Sequence, residues 1–548
     1  MGDELSQQYA DLLDGQYDCV DRIVLNAYNP LCYSPGGFRS WWRRLYGTDD
    51  DLDDTHLMRL AGRFARRVRG FAKAHGIVLE ECQRGERKHD LAEQYLAAHP
   101  ETQGLFMILV SRAVAPVWEV KRSATSGALQ NLASKKAFVN HYSFNILDPD
   151  WGHLTIKMSG HPPFGAQIIL NGHEYVAAQA LRTGVAFRKD GNCFTHLSHP
   201  RSLAAVADTL TEKPVIGQLL QVCDRWIYSC CLCFGLHTEE QERTNFRYQY
   251  SVYQLEYSRN LLFRNGHQLD QVFQGLIDRT RSRLDIPHLR TIFGMRNRPF
   301  HHRDAQPPRE AVVVERPTYD LTVFKVHFGK VTLKAYTKGE HVLRFEAIVH
   351  HAAVLKLGRL LPRFPALVTR LQGMVDRWLN TIQYLDHAFV ADQTLDQLPA
   401  SSQLGRLRIG GIDLNKPRMR AVLAAAIACA QIPMGFRLGN LVTQVRLRSG
   451  TLAASYGTRQ AAYDLRKLRA KGFVLRQPRS QRYTVPPDGL RTIAALVVLR
   501  EQVIKPILAG VRTPYRGRKP RSWTPLDDHY QTLRLDMHQL FADLGLAS

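Results

Sequence analysis

Residues 331–350 read VTLKAYTKGEHVLRFEAIVH, and their alternation decides what the middle of the chain is. Successive side chains of an extended strand point to opposite faces. Val331, Leu333, Ala335 and Thr337 therefore share one face, and Thr332, Lys334, Tyr336 and Lys338 the other. In the second run Leu343, Phe345, Ala347 and Val349 oppose Arg344, Glu346 and His350. Neighbouring strands must keep their apolar faces on one side, and this constrains the turn. A two-residue loop Gly339-Glu340 would set Tyr336 against Leu343 and mix the faces. A three-residue loop Gly339-Glu340-His341 sets Tyr336 against Arg344 and Lys334 against Glu346. The spacing predicts the three-residue loop, with LTVFKVH just upstream adding Lys325 and His327 to the polar side.

Working outward, FVNHYSFNIL (138–147), the turn Asp148-Pro149-Asp150 and HLTIKMS (153–159) read as a hairpin. A strand at 164–170 leads to Asn171 with Glu174 three residues on, the spacing of a capping box, then to a helix over 172–183 stopped by Gly184 and to a returning strand GVAFR. That order predicts a β-α-β unit. Residues 198–235 read as helical and RYQYSVYQLEY (247–257) as a strand. The expected fold class is α+β multidomain, a central mixed β-sheet with helices and a C-terminal winged helix-turn-helix. The expected domains are a helical N-terminal region (1–110), an α/β central domain (111–295), a Pro-rich linker (296–319), a β-hairpin plus helices completing the central domain (320–391), a linker (392–411), a nucleic-acid-binding module (412–512) and a tail with a helix (513–548). Within 1–110, Leu60, Phe64, Val68 and Phe71 recur at helical spacing among many arginines.

A tyrosine flanked by lysines and opposed by an arginine and a glutamate suits phosphodiester chemistry. Tyr336 is the nucleophile candidate, Lys334, Lys338 and Arg344 the cations favouring its anion, and Glu346 with His350 the ligands of a divalent metal, Mg2+ or Mn2+. The same face equally suits plain backbone binding, or a solvated surface of cross-strand ion pairs. The pattern K-A-Y-T-K-G-E followed by L-R-F-E resembles the strand pair of rolling-circle replication initiators from filamentous phages and small plasmids. The resemblance spans about 30 residues and implies a tyrosine that nicks DNA beside a metal. No two histidines here are separated by one residue, so the paired-histidine signature of the larger relaxase group is missing. Tyr257 beside Glu256 is a second tyrosine–acid pair.

The stretch GTRQAAYDLRKLRAKGFVLRQPRSQRYTVPPDG (457–489) carries the other signal. Thr458 reads as an N-cap, Ala461, Leu465 and Leu468 form one apolar stripe, and Gly472 ends the helix. FVLR and RYTV then read as a hairpin whose tip, QPRSQ, is basic. Two helices upstream, at 417–430 and 436–447, complete the order of a winged helix-turn-helix. LRKLRAKGFV and RYTVPPDG resemble the corresponding segments of bacterial regulators of the MarR and PadR type, over about 80 residues. Nucleic-acid contacts then fall to Arg459, Tyr463, Arg466, Arg469 and Lys471 on the helix side and to Arg479 and Arg482 on the hairpin.

The 548 residues carry 73 Lys and Arg against 50 Asp and Glu, a net charge of +23. Residues 401–520 alone hold 23 of the basic residues and four acids, which points to a polyanionic partner, DNA before RNA. The N-terminal stretch lacks an apolar targeting core and no run of about 18 apolar residues occurs, so a cytoplasmic protein without membrane contact is expected. Nine cysteines, with Cys230, Cys231 and Cys233 clustered among apolar neighbours, read as reduced thiols rather than a zinc site. Phosphate-binding loops, G-x-S-x-G elbows and H-E-x-x-H helices are absent, which removes nucleotide hydrolysis and zinc proteolysis. Glu119 with Lys121, His161, and His173 with Glu174 are minor constellations. Two functions stay open: a DNA-binding protein of mobile-element or plasmid type that initiates replication or nicks through a tyrosine and a metal, and a non-enzymatic winged-helix regulator. Self-association into a homodimer fits either.

Overall fold

The structure is a computed structural model and describes residues 3–83, 86–284, 290–293, 311–318, 321–384, 395, 397–449, 455–504 and 524–543. The chain divides into two compact units, one of residues 10–273 and 290–375, the other of residues 1–9, 274–289 and 376–548. It is mixed α and β, as its alternating and helical periodicities require. Among the described residues no single helix is long and apolar enough to cross a membrane.

The first unit is built on one twelve-stranded sheet. Its strands are β1 (Leu13–Tyr28), β2 (Val78–Glu81), β3 (Gly104–Arg122), β4 (Leu129–Asp148), β5 (Gly152–Ser159), β6 (Ala166–Asn171), β9 (Gln249–Phe263), β10 (Arg290–Phe293), β11 (Ala311–Thr318), β12 (Leu321–Phe328), β13 (Val331–Lys338) and β14 (Val342–Val349). A separate two-stranded sheet holds β7 (Phe187–Lys189) and β8 (Phe194–Leu197). In the large sheet the order is β10-β11-β12-β13-β14-β9-β1-β6-β5-β4-β3-β2. Among the described residues only the pairs β2–β3 and β10–β11 are parallel. The three-residue loop is present: Lys338 pairs with Val342, Tyr336 with Arg344 and Lys334 with Glu346.

Antiparallel sheets sort side chains by face. Leu333, Phe345, Tyr257, Ile23, Leu25, Ile168, Ile156 and Phe144 are all buried. The helices α1 (Pro35–Tyr46) and α2 (Asp54–His75) bring Phe38, Trp41, Phe64 and Val68 into this core, with Phe64 against Tyr142 and Phe164. The register puts Lys334, Glu346, Ser258, Gln167, Lys157, Ser143 and Asn145 on the polar side of the pleat.

Three expectations change. The N-terminal region is not simply helical: β1 sits at the centre of the sheet between β9 and β6, with Val20, Ile23 and Leu25 buried once an irregularity between Val20 and Ile23 shifts the phase of alternation by one residue. The predicted β-α-β unit does not form. Helix α4 (Gly172–Arg182) follows β6 as expected, but the returning strand β7 pairs with β8 outside the large sheet. Glu174 leaves the capping to Asn171, whose Oδ1 accepts from the His173 N–H at 3.0 Å, and pairs with Lys189.

The second unit contains two short strands, β15 (Ser402–Leu404) and β16 (Leu407–Ile409), then α7 (Pro417–Ala430), α8 (Leu438–Arg448), α9 (Thr458–Ala470), the hairpin β17 (Leu475–Arg476) and β18 (Tyr483–Thr484), and α10 (Pro487–Val498). Ala461, Leu465 and Leu468 of α9 are buried with Leu441, Val445 and Ile493. Gly457, one residue before the expected Thr458, caps α9, its N–H donating to Gln460 at 2.6 Å. At the other end Gly472 takes φ +73° and the Phe473 N–H reaches back to the Leu468 carbonyl at 2.9 Å, a glycine-dependent helix stop.

Candidate functional site

In the second unit α9 separates its cations from its core. Arg459, Tyr463 and Arg466 fall at helical i, i+4, i+7 spacing and are exposed, while Ala461, Asp464, Leu465 and Leu468 point inward. Lys467 lies 5.2 Å over the Tyr463 ring. Arg479 is exposed at the hairpin tip in a left-handed conformation, φ +51°. The hairpin is anchored by a two-way bridge between Tyr483 and Phe436, which precedes α8, with N···O distances of 2.8 and 2.9 Å.

Two expected contact residues are used internally. Lys471 donates to the carbonyls of Gln397 and Ala400, and Arg482 to the carbonyl of Gly435 at 2.8 Å. Both are half-buried, and their ammonium and guanidinium groups satisfy backbone oxygens rather than facing outward. Arg469 is also half-buried. Asp464 is held by Arg418 at 3.1 Å and by the Tyr456 hydroxyl at 3.0 Å, and burial pushes its carboxyl up despite the arginine.

In the sheet unit the residues proposed for catalysis are brought together, but not as an open surface. Arg344 has no exposed surface. Its Nε donates to Glu346 at 2.9 Å, and its other nitrogens to Asp21, to the Asn192 carbonyl and to Asn260. Lys334 sits 3.2 Å from the second Glu346 oxygen, and Lys338 donates to Asn192 at 2.9 Å. Asp21 also faces His173 Nδ1 at 3.0 Å and accepts from Ser258 at 2.8 Å. Burial pushes the carboxyls of Asp21 and Glu346 upward, and Arg344 more than reverses this, helped by His173 for Asp21 and by Lys334 for Glu346.

The Tyr336 hydroxyl donates to Glu346 at 2.6 Å. Burial, reinforced by Glu346, raises its pKa despite the nearby guanidinium, the reverse of the activation expected from flanking cations. The expected metal pair is also apart. Four residues of strand separate Glu346 from His350 by about 13 Å, the Glu346 oxygens are taken by Arg344, Tyr336 and Lys334, and His350 Nε2 lies 3.0 Å from the Thr332 hydroxyl. Tyr257 likewise donates to Asp18. Glu119 pairs with Lys135.

Sequence reasoning missed a cleft of about 730 Å3 on the polar side of the sheet, lined by Asp21, Arg22, Asn145, Lys157, Glu256 and Lys189 among others. A second cleft of about 750 Å3 shares Lys157 with it and includes His141, His161, Asn26 and Gln167. Neither is lined by Tyr336. Lys157 has no hydrogen-bond or ion-pair partner among the described residues, and burial lowers its pKa. Burial and Glu346 raise that of Glu256. Among the described residues two groups of side chains converge closely enough to hold a cation: Cys19, Asp21 and His173, and His89, Glu93 and His153. In the first, Asp21 is already neutralised by the buried Arg344, whose charge would repel a dication.

Comparison of the chain with protein-family models, curated proteins and solved structures finds no match. The functional reading therefore rests on these geometries. The signal for His89 and Glu93 was local, an i, i+4 pair in KHDLAEQ, but nothing in the sequence ties it to His153.

Proposed function

We propose that the protein is a DNA-binding regulator, in which residues 417–498 act as a winged helix-turn-helix. α9 is the recognition helix and the β17–β18 hairpin the wing. The observation that carries this is the exposed row Arg459, Tyr463, Arg466, whose two guanidinium groups have no partner among the described residues, on a helix whose opposite side is buried. The order helix, single bridging residue, two helices and hairpin, with Phe436 tied to Tyr483, supports it. So does the basic excess of residues 401–520, because cations that neutralise phosphates release condensed counterions.

The regulator is favoured over a replication initiator of mobile-element or plasmid type that nicks through Tyr336. A phenol that donates to a carboxylate and is raised by burial is a poor nucleophile at neutral pH.

The test is fluorescence anisotropy of the full chain with labelled duplex DNA, single-stranded DNA and duplex RNA over a range of salt. Log affinity for duplex DNA is expected to fall linearly with log salt. The double variant Arg459→Ala/Arg466→Ala is expected to reduce the slope by about 2, while Lys471→Ala leaves it unchanged. Affinity indifferent to salt, or a slope that survives the double variant, defeats the proposal.

A further inference from the structure

The geometry points to a site for a first-row divalent metal on His89, Glu93 and His153, with its open coordination position facing the cleft and suited to a phosphate oxygen. His89 and Glu93 lie one turn apart on α3 (Lys88–Ala98), so they project from one face of that helix toward β5, where His153 is the second residue of the strand. His153 Nδ1 is 2.8 Å and His89 Nδ1 3.8 Å from the same Glu93 oxygen, and the two rings lie nearly parallel, 5.8 Å apart with 8° between planes. Ligand atoms around a tetrahedral metal with bonds of 2.0–2.1 Å are about 3.3 Å apart. The two spacings to Glu93 bracket that value, all three ligand atoms lie within 4.8 Å of one another, and the exposed side chains, Glu93 at 52% and His89 at 74%, are free to adjust.

A second observation concerns the ring of His153. Its Nε2 faces Asn145 Oδ1 at 3.4 Å, and Thr155 donates to the same oxygen at 3.0 Å. A metal held between Nδ1 and the Glu93 carboxylate leaves Nε2–H to make the outer hydrogen bond that orients a metal-bound imidazole. The competing account is an Nδ1–H donated directly to Glu93, at 2.8 Å.

Three protein ligands leave at least one position free, the arrangement of sites that bind an exchangeable ligand. The cleft beside it carries the unpaired ammonium of Lys157 and the guanidinium of Arg22, which suit an anionic oxygen of the phosphate class. The metal site is independent of the nucleic-acid reading of the other unit.

Co2+ titrated into the full-length protein is the probe, followed by calorimetry and visible absorption. About one equivalent is expected to bind with ligand-field bands of low coordination number. His89→Ala and Glu93→Gln, which alter exposed side chains, are each expected to weaken binding at least ~10-fold, while His75→Ala on α2 does not. Inorganic phosphate should then shift the bands, and Lys157→Ala should abolish that shift. Absence of binding, or binding that survives both ligand variants, overturns the metal site and leaves the hydrogen-bonded His153–Glu93 pair. A spectrum blind to phosphate overturns the assignment of the open position.

Discussion

Arg344 and Arg459 are the same side chain in opposite circumstances. In the sheet unit Arg344 is fully buried and shared by Asp21, Glu346, Asn192 and Asn260, whereas Arg459 projects from α9 with no partner among the described residues. Net charge counts the two equally. Only an unpaired guanidinium can neutralise a phosphate, while a buried, paired one holds its own fold together. Arg225, which bridges Asp148 and Asp150, and Arg259, on Asp18, belong with Arg344. Among these residues, pairing separates structural cations from those available to a partner.

The largest expected effect breaks the internal side of this contrast. Arg344→Met leaves two buried carboxylates without their main counter-charge, and removing one member of a buried ion pair costs about 3–5 kcal/mol. Calorimetric melting should show the sheet unit unfolding at a clearly lower temperature, whereas Arg459→Met, a surface change, should stay within about 0.5 kcal/mol of the parent. Equal effects of the two would erase the distinction.

A smaller effect is expected from pH. Burial lowers the His173 pKa in the folded protein, only partly opposed by Asp21, with Arg344 and Lys189 adding to the shift and the Tyr17 hydroxyl 3.5 Å away. The unfolded chain therefore binds the proton more readily. Stability is full above the unfolded value near 6.5 and falls as pH drops from there toward the folded pKa, by at most about 1.4 kcal/mol per unit. Asp21 and Glu346, whose pKa values are lowered, act in a separate window: their contribution is present above about pH 4 and lost below it. Urea unfolding between pH 7 and 5 should reveal the histidine slope, and His173→Asn should flatten it.

The smallest effect sharpens the comparison within the buried network. Tyr336→Phe removes one hydrogen bond to a carboxylate that Arg344 and Lys334 still hold, so a loss of about 1–2 kcal/mol is expected. Nucleic-acid affinity should not change. DNA nicking that vanished in this variant would restore the tyrosine as a nucleophile.

The hairpin of β13 and β14 was legible to the residue, because two alternating runs admit one loop length that keeps both faces pure. The helices and hairpin of the second unit were legible because their stop signals are local, Gly472 above all. What covers the polar face was not. Asp21 comes from β1 and Asn192 from the turn before β8, well over a hundred residues from Arg344, and alternation gives a side chain's face without saying what lies above it. Hence a surface read as open turned out to be a buried charge network. The central place of β1 was hidden for a related reason: its irregularity between Val20 and Ile23 breaks the period on which strand recognition depends.

The position of β1 also sets a timetable. It precedes every other described strand of the sheet in the chain, yet its two neighbours are β6, ending at Asn171, and β9, ending at Phe263. At ~5–20 residues per second of synthesis, the interval before β9 is complete is on the order of 10–50 s. Throughout that time one margin of Leu13–Tyr28 lacks its native partner on the ribosome. An early-born strand with a late-born neighbour exposes the growing polypeptide to wrong pairings, and folding helpers acting during translation should matter more here than for a chain assembled in sequence order.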